Sequence, residues 1–160
     1  MKNCIQSVMS TLKNKVPQLR WVDMNLGQMN MEHPPVSYPC VLVDLSYIKH
    51  SNTGRGSQLG YATLEIELFF NVNSPSNNTA PQAMQEQAFQ HFDIVEKVNQ
   101  AISGLSGETF STLNRTDTKR NAQYYPRAFT LIYQTIISSQ STKNKYTPLP
   151  NIKPKITNQH

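Results

Sequence analysis

Between residues 61 and 72 every even position is apolar, namely Ala62, Leu64, Ile66, Leu68, Phe70 and Val72, while Tyr61, Thr63, Glu65, Glu67 and Asn71 can face water. A period of two sustained over this length predicts a long antiparallel strand with one buried face. Upstream, Cys40-Val41-Leu42-Val43-Asp44-Leu45, entered through Pro39, reads as a short strand inside a sheet. Residues 46–60, with Asn52-Thr53-Gly54-Arg55-Gly56, predict a flexible connection of a long hairpin whose tip carries Lys49, His50 and Arg55.

The other strong period is 3.6. Ile5, Val8, Met9, Leu12 and Val16 form one stripe of a first helix, with Lys13 and Lys15 in its last turns and Pro17 stopping it. A second helix starts near Pro81, with Asn77, Asn78 and Thr79 as capping candidates and Gly104 as its stop. Its apolar face comprises Met84, Ala88, Phe92, Val95, Val98 and Ile102, flanked by Phe89, Ile94 and Leu105, and His91 is expected at an exposed or boundary position. About 22 residues at 1.5 Å each give roughly 33 Å, enough to cover a sheet. Residues 18–38, with Trp21, three Met and Pro34-Pro35, form an irregular insert with at most a short strand at 19–24.

Residues 110–113 predict a short strand and 124–137 a longer one, with Phe129, Leu131 and Tyr133 on one side and Ala128, Ile132 and Ile136 on the other. From residue 138 no period survives, and Pro148, Pro150 and Pro154 alternate with Lys143, Lys145, Lys153 and Lys155. The expected architecture is therefore α+β: a single domain over residues 1–137, an antiparallel sheet with two helices packed on it, followed by an extended basic arm over 138–160.

Charge sharpens this division. Residues 1–108 hold seven basic and nine acidic side chains, whereas 109–160 hold eight basic and one acidic. Such asymmetry suits nucleic acid, an acidic protein surface or a solvated tail. Cys4 and Cys40 stand alone, without metal-ligand or disulfide-framework spacing, and reduced thiols are the simplest reading. Neither a signal-peptide core nor a run of membrane-spanning length is expected, so the sequons at Asn77 and Asn114 read as chance matches.

Catalytic chemistry finds little purchase. His33, His50, His91 and His160 lack ligand spacing, and residues 54–60 precede a strand instead of opening a helix and lack the Gly-Lys-Ser/Thr ending of a phosphate loop. Asp44, Glu65 and Glu67 could pair for acid–base work, but on polar strand faces they read more simply as solvent-facing charges. No enzyme, metal or cofactor is expected. The densest cationic and aromatic stretch spans residues 115–127, with Arg115, Lys119, Arg120, Tyr124, Tyr125 and Arg127. It suits a protein interface, a nucleic-acid surface or a polar inter-strand loop.

The succession of helix, Pro-entered strand (Tyr38-Pro39-Cys40-Val41-Leu42-Val43-Asp44-Leu45), hairpin, long strand (residues 61–70), covering helix, Arg-rich segment and final strand (residues 129–136) resembles the tail terminator family of tailed bacteriophages. The resemblance spans residues 1–137 and rests on pattern and order; the 18–38 insert and the Pro/Lys arm depart from it. It implies a non-enzymatic virion protein that is assembled in the host cytoplasm. It further implies a homo-oligomeric, hexameric ring that caps the tail tube, docks head-completion or connector proteins, and passes genomic DNA through its lumen without sequence-specific binding or membrane contact. Candidate interface or lumen residues are Lys49, Arg55, Arg115, Lys119, Arg120, Tyr124, Tyr125, Arg127, Lys143 and Lys145, with residues 46–60 and 138–160 expected to reach neighbouring subunits. A head-to-tail adaptor or neck ring is the near alternative, and a DNA-binding module the more distant one.

Overall fold

The computed structural model describes residues 1–52, 57–71, 74–121 and 127–140. Its strands are β1 (Trp21–Met24), β2 (Cys40–Asn52), β3 (Ser57–Phe70), β4 (Asn114–Asn121) and β5 (Arg127–Gln140); its helices are α1 (Lys2–Lys15) and α2 (Gln82–Ile102). They form one sheet of order β1-β2-β3-β5-β4. All neighbours pair antiparallel except β1, which runs parallel to β2 with Trp21 opposite Cys40. This α+β layout agrees with the expected class, apart from the parallel edge strand.

Alternation on β3 sets the layers. Ala62, Leu64, Ile66, Leu68 and Phe70 are all buried, and they meet Leu131 and Tyr133 of β5, Val41 and Val43 of β2, Val8 and Leu12 of α1, and Val98 and Ile102 of α2. Each Leu or Ile so buried contributes about 1.5–3 kcal/mol. The helices therefore cover one face of the sheet. The opposite face has a smaller core at one end, where Cys40, Leu42, Phe69 and Ala128 pack under Met29, Val36 and Tyr38. The 18–38 segment thus does two jobs: it supplies β1 and lays a partial roof on the second face.

Several expectations are corrected. The hairpin strands are longer than predicted, and most of residues 46–60 are strand, with only 53–56 outside the described residues. A register shift between Leu45 and Tyr47 exchanges the faces. Beyond it Ile48 joins the helix-side core, whereas Tyr47 and Lys49 lie on the second face opposite Thr63 and Tyr61. Gly60 stands in the strand because a Cβ there would come within 2.9 Å of the Ile48 side chain. Residues 110–113 form no strand of their own; Phe110 makes isolated bridges to Gly107 and Ile137. Of the Arg-rich stretch, for which a polar inter-strand loop is one of three readings, Asn114–Asn121 form strand β4.

Helix α2 keeps its expected length but is rotated. Its buried residues are Ala88, His91, Val95, Val98, Ala101 and Ile102, while Met84, Phe89 and Phe92 are about half exposed. His91 is thus a core residue and not the exposed or boundary one expected. No side chain caps the helix; Asn77 Oδ1 instead accepts hydrogen bonds from the Thr79 amide at 3.1 Å and hydroxyl at 2.6 Å. Gly104 follows the helix at φ +84°, the left-handed conformation that ends helices most cheaply with glycine. Strand β5 begins at Arg127 and runs to Gln140, three residues into the segment expected as an arm.

Candidate functional site

Among the described residues, strand β4 has β5 on one side and no further strand on the other. Asn114 to Arg120 are exposed throughout, because a polar edge strand has no face that must join the core. Its cations divide between the two faces. Arg115 and Arg120 stand in register with Tyr133 and Phe129 of the helix-side face, and Lys119 with Thr130 of the other. Arg115 Nη1 lies 3.9 Å from Glu96 of α2, and Lys119 Nζ lies 3.6 Å from Asp117. Exposed pairs of this kind contribute little stability, but they lower the net positive field of the edge.

Where β4 ends and β5 begins, the cations meet aromatic rings. His91, 1% exposed, lies with ring centroids 4.1 Å from Phe92 and 5.7 Å from both Phe70 and Phe129. Arg127 Nη1 is 3.4 Å from His91 Nε2. A guanidinium only donates, so Nε2 must accept and the imidazole proton sits on Nδ1. Nδ1 has no hydrogen-bond partner, the one buried side-chain polar atom so placed among the described residues. Burial first, then the charge of Arg127, pushes the His91 pKa down; the Ala88 carbonyl, close to the ring but outside hydrogen-bond geometry with Nδ1, opposes this, and Arg120 adds to it.

Outward from this cluster, Phe89 and Phe92 stack with centroids 6.4 Å apart and each is 50% exposed. Phe92 also meets Phe129 edge-on at 5.7 Å. Half-exposed stacked phenylalanines beside arginines are the composition of a binding anchor. The opposite edge of the sheet differs in kind: on β1 and the turn after it, Trp21, Met24 and Leu26 are exposed, and Met31 follows. One edge is thus cationic and aromatic, the other apolar.

The second face of the sheet, beyond the roof of residues 25–38, is open among the described residues. Asp44 lies in register with Glu65, and Glu67 is two positions along β3 on the same face. Burial first, then the charges of Glu65 and Asp44, pushes the Glu67 pKa up, opposed by a hydrogen bond that Asn25 Nδ2 donates at 2.9 Å. Farther from the roof, Tyr47, Lys49, Tyr61, Gln134 and Ile136 line a groove of about 370 Å³. No group of three or more potential metal ligands occurs among the described residues.

Of the residues singled out from sequence, Arg115, Lys119, Arg120 and Arg127 come together along the β4–β5 edge. Lys49 lies apart, on β2 rather than at a hairpin tip. Arg55, Tyr124, Tyr125, Lys143 and Lys145 lie outside the described residues. Sequence reasoning missed the exposed Phe89–Phe92 pair, having assigned both to the buried face of α2, and missed the apolar β1 edge. A spacing count could have found the first, since 88, 91, 95, 98 and 102 is a complete helical stripe that passes through His91.

No protein-family model and no curated protein matches this chain. Among solved structures it is similar to a chain described as "Virion of native gene transfer agent (GTA) particle", with 11% identity, a TM-score of 0.41, and coverage of 82% of this chain and 84% of that one. At that identity and score the likeness carries no inference about function.

Proposed function

We propose that the protein is a non-enzymatic virion structural protein, a tail terminator that assembles into a closed ring on the tail tube. The observation that carries the reading is the pair of unlike sheet edges, cationic and aromatic at β4 with Phe89 and Phe92, apolar at β1 with Trp21, Met24 and Leu26. A closed ring of identical subunits needs two different, mutually complementary surfaces on each copy. Arg120 and Arg127 opposite an exposed Trp21 is a chemically sensible pairing, since guanidinium stacks well on indole. The order of elements that carries the family resemblance, from α1 through β2, β3 and α2 to β5, supports the same reading.

Two of the three β4 cations already face carboxylates of their own chain, Glu96 and Asp117. That disfavours a dedicated DNA-binding edge and favours a lumen or interface of modest charge, past which a phosphate backbone can slide. A neck or adaptor ring would use the same edges and differ only in what it docks.

The test is negative-stain electron microscopy of the purified protein, alone and with polymerising tail tube protein. Rings, with tubes capped at one end and held to a defined length, are the expected result. Rings that leave tubes unaltered would move the assignment to an adaptor ring, and dispersed monomers beside unaltered tubes would refute ring assembly on the tube altogether.

A further inference from the structure

We infer that Asp117 and Asp23 guard the two outer strands of the sheet: each folds its carboxylate onto an outward-pointing amide and so prevents β4 of one copy from pairing main chain to main chain with β1 of another. The direction of the β4 amides follows from the bonds around β5. Ile136 donates its amide to Ser111 Oγ at 2.9 Å and accepts from the Ser111 amide at 2.8 Å, and the Ile132 carbonyl accepts from Thr116 Oγ1 at 3.4 Å. The even residues of β5 therefore turn their backbone groups toward β4, and Ile132 and Thr130 stand opposite Asp117 and Lys119. Thr118, opposite Leu131, must point its N–H away from β5. That amide donates to Asp117 Oδ1 at 2.7 Å. Asp117 Oδ2 lies 3.6 Å from Lys119 Nζ, which helps to hold the carboxylate in place.

The same device recurs on β1. Asn25 donates its amide to the Val43 carbonyl of β2 at 2.9 Å, so the preceding amide, that of Met24, turns outward, and it donates to Asp23 Oδ1 at 2.8 Å. What matters at each strand is a bond already made: an added strand would have to break a charge-assisted hydrogen bond and bring its own carbonyl up against the displaced carboxylate. A bulge between Arg115 and Asp117 on β4, and a length of only four residues for β1, work in the same direction. The topology gives such guarding a purpose. β1 runs parallel to β2, and three successive antiparallel pairings separate β2 from β4, so β4 runs opposite to β1. Two copies set side by side in the same orientation would thus bring β4 and β1 together antiparallel, the arrangement that extends a sheet without limit. With the amides occupied, contact between such copies is left to side chains.

The test compares full-length variants at one concentration by sedimentation velocity and electron microscopy. Asp117→Ala/Asp23→Ala should raise the weight-average mass several-fold above that of the natural protein and give filaments. Asp117→Asn/Asp23→Asn should not, because the amide oxygen still accepts although the pairing with Lys119 is lost. Adding Thr118→Pro to the alanine pair removes the donor and should return the mass to the natural value; an edge strand tolerates proline where its N–H makes no ladder bond. Exchange of the Thr118 amide in dilute protein should be several-fold faster in Asp117→Ala than in Asp117→Asn. Every readout is a difference from the natural protein, so a natural protein that forms no ring sinks the ring reading and leaves this one standing. An alanine pair no heavier than the natural protein, an asparagine pair as heavy as the alanine pair, filaments that survive Thr118→Pro, or equal Thr118 exchange in the two Asp117 variants would each overturn the proposal.

Discussion

His91→Phe isolates the chemistry of one buried imidazole. The ring sits 1% exposed among Phe70, Phe92 and Phe129, with a guanidinium on Nε2 and nothing on Nδ1. Its folded-state pKa is lowered from the ordinary 6.5, so the fold holds the neutral form while the unfolded chain takes up a proton as the pH falls through that value. The unfolded state then binds more protons, and His91 makes stability rise with pH: its contribution is intact above pH 6.5 and lost below it. One proton can tilt stability by at most about 1.4 kcal/mol per pH unit. Urea unfolding of the natural protein and of His91→Phe at pH 5, 6, 7 and 8 reads the difference directly. Phenylalanine suits the aromatic niche, and Arg127, being partly exposed, can exchange its lost acceptor for water. Any packing cost of the larger ring shifts the variant's curve by a constant. The variant should gain on the natural protein steadily below about pH 6.5, with a slope no steeper than that limit, while the difference stays flat from pH 7 to 8. A difference independent of pH, or one in which the natural protein gains on acidification, would refute the assignment of His91 as neutral in the fold.

Glu67→Gln should stabilise the protein at neutral pH: the raised pKa of Glu67 means its charged form is disfavoured in the fold, an effect absent below about pH 4 and growing as the pH rises through the folded value, so the variant's advantage in urea should vanish on acidification. Leu131→Ala, at a fully buried position of β5 in the helix-side core, should cost about 2–5 kcal/mol by the same assay. Tyr133→Phe should cost only about 1 kcal/mol, because the Asn99 Oδ1 that accepts its hydroxyl at 3.1 Å also accepts from Ser103 at 2.8 Å and is not orphaned. Phe89→Gln, at a half-exposed ring whose aromatic contact among the described residues is Phe92, should leave the unfolding midpoint nearly unchanged and abolish the tube capping proposed above in electron micrographs.

What the sequence reveals here follows what burial enforces. The even positions of β3 and the stripe Val8, Leu12 and Val16 of α1 can satisfy their apolar side chains in only one arrangement, and the structure has it. Strand β4 has no such constraint: Asn-Arg-Thr-Asp-Thr-Lys-Arg-Asn buries nothing, and its conformation is dictated by the free edge of β5, which its own pattern does not encode. Residues 46–52 were illegible for another reason. The bulge after Leu45 moves the buried parity from odd to even, so Leu45 and Ile48 face the same layer three apart and the alternation seems to stop. On α2, two overlapping stripes compete, one through Phe92 and one through His91. The second wins because Phe70 and Phe129 build an aromatic niche and Arg127 supplies a donor, all from strands distant in sequence. The candidate surface inherits these blind spots: its cations were visible as residue types, but their alignment along one edge beside Phe89 and Phe92 was not.

The pairing of β5 with β3 also has a mechanical meaning. Strand β5 ends at Gln140 beside Ser57, where β3 begins, and fourteen register pairs lie behind that point, back to Arg127 opposite Phe70. A pull on the following segment, directed outward along the strand axis, would load all of those rungs together in shear. The same pull directed sideways would open them one after another from Gln140. A molecule held through its C-terminal segment would therefore resist hard along the strand direction and yield readily across it, so the direction of the pull, more than the affinity at its far end, would set how much tension the fold could bear at that point.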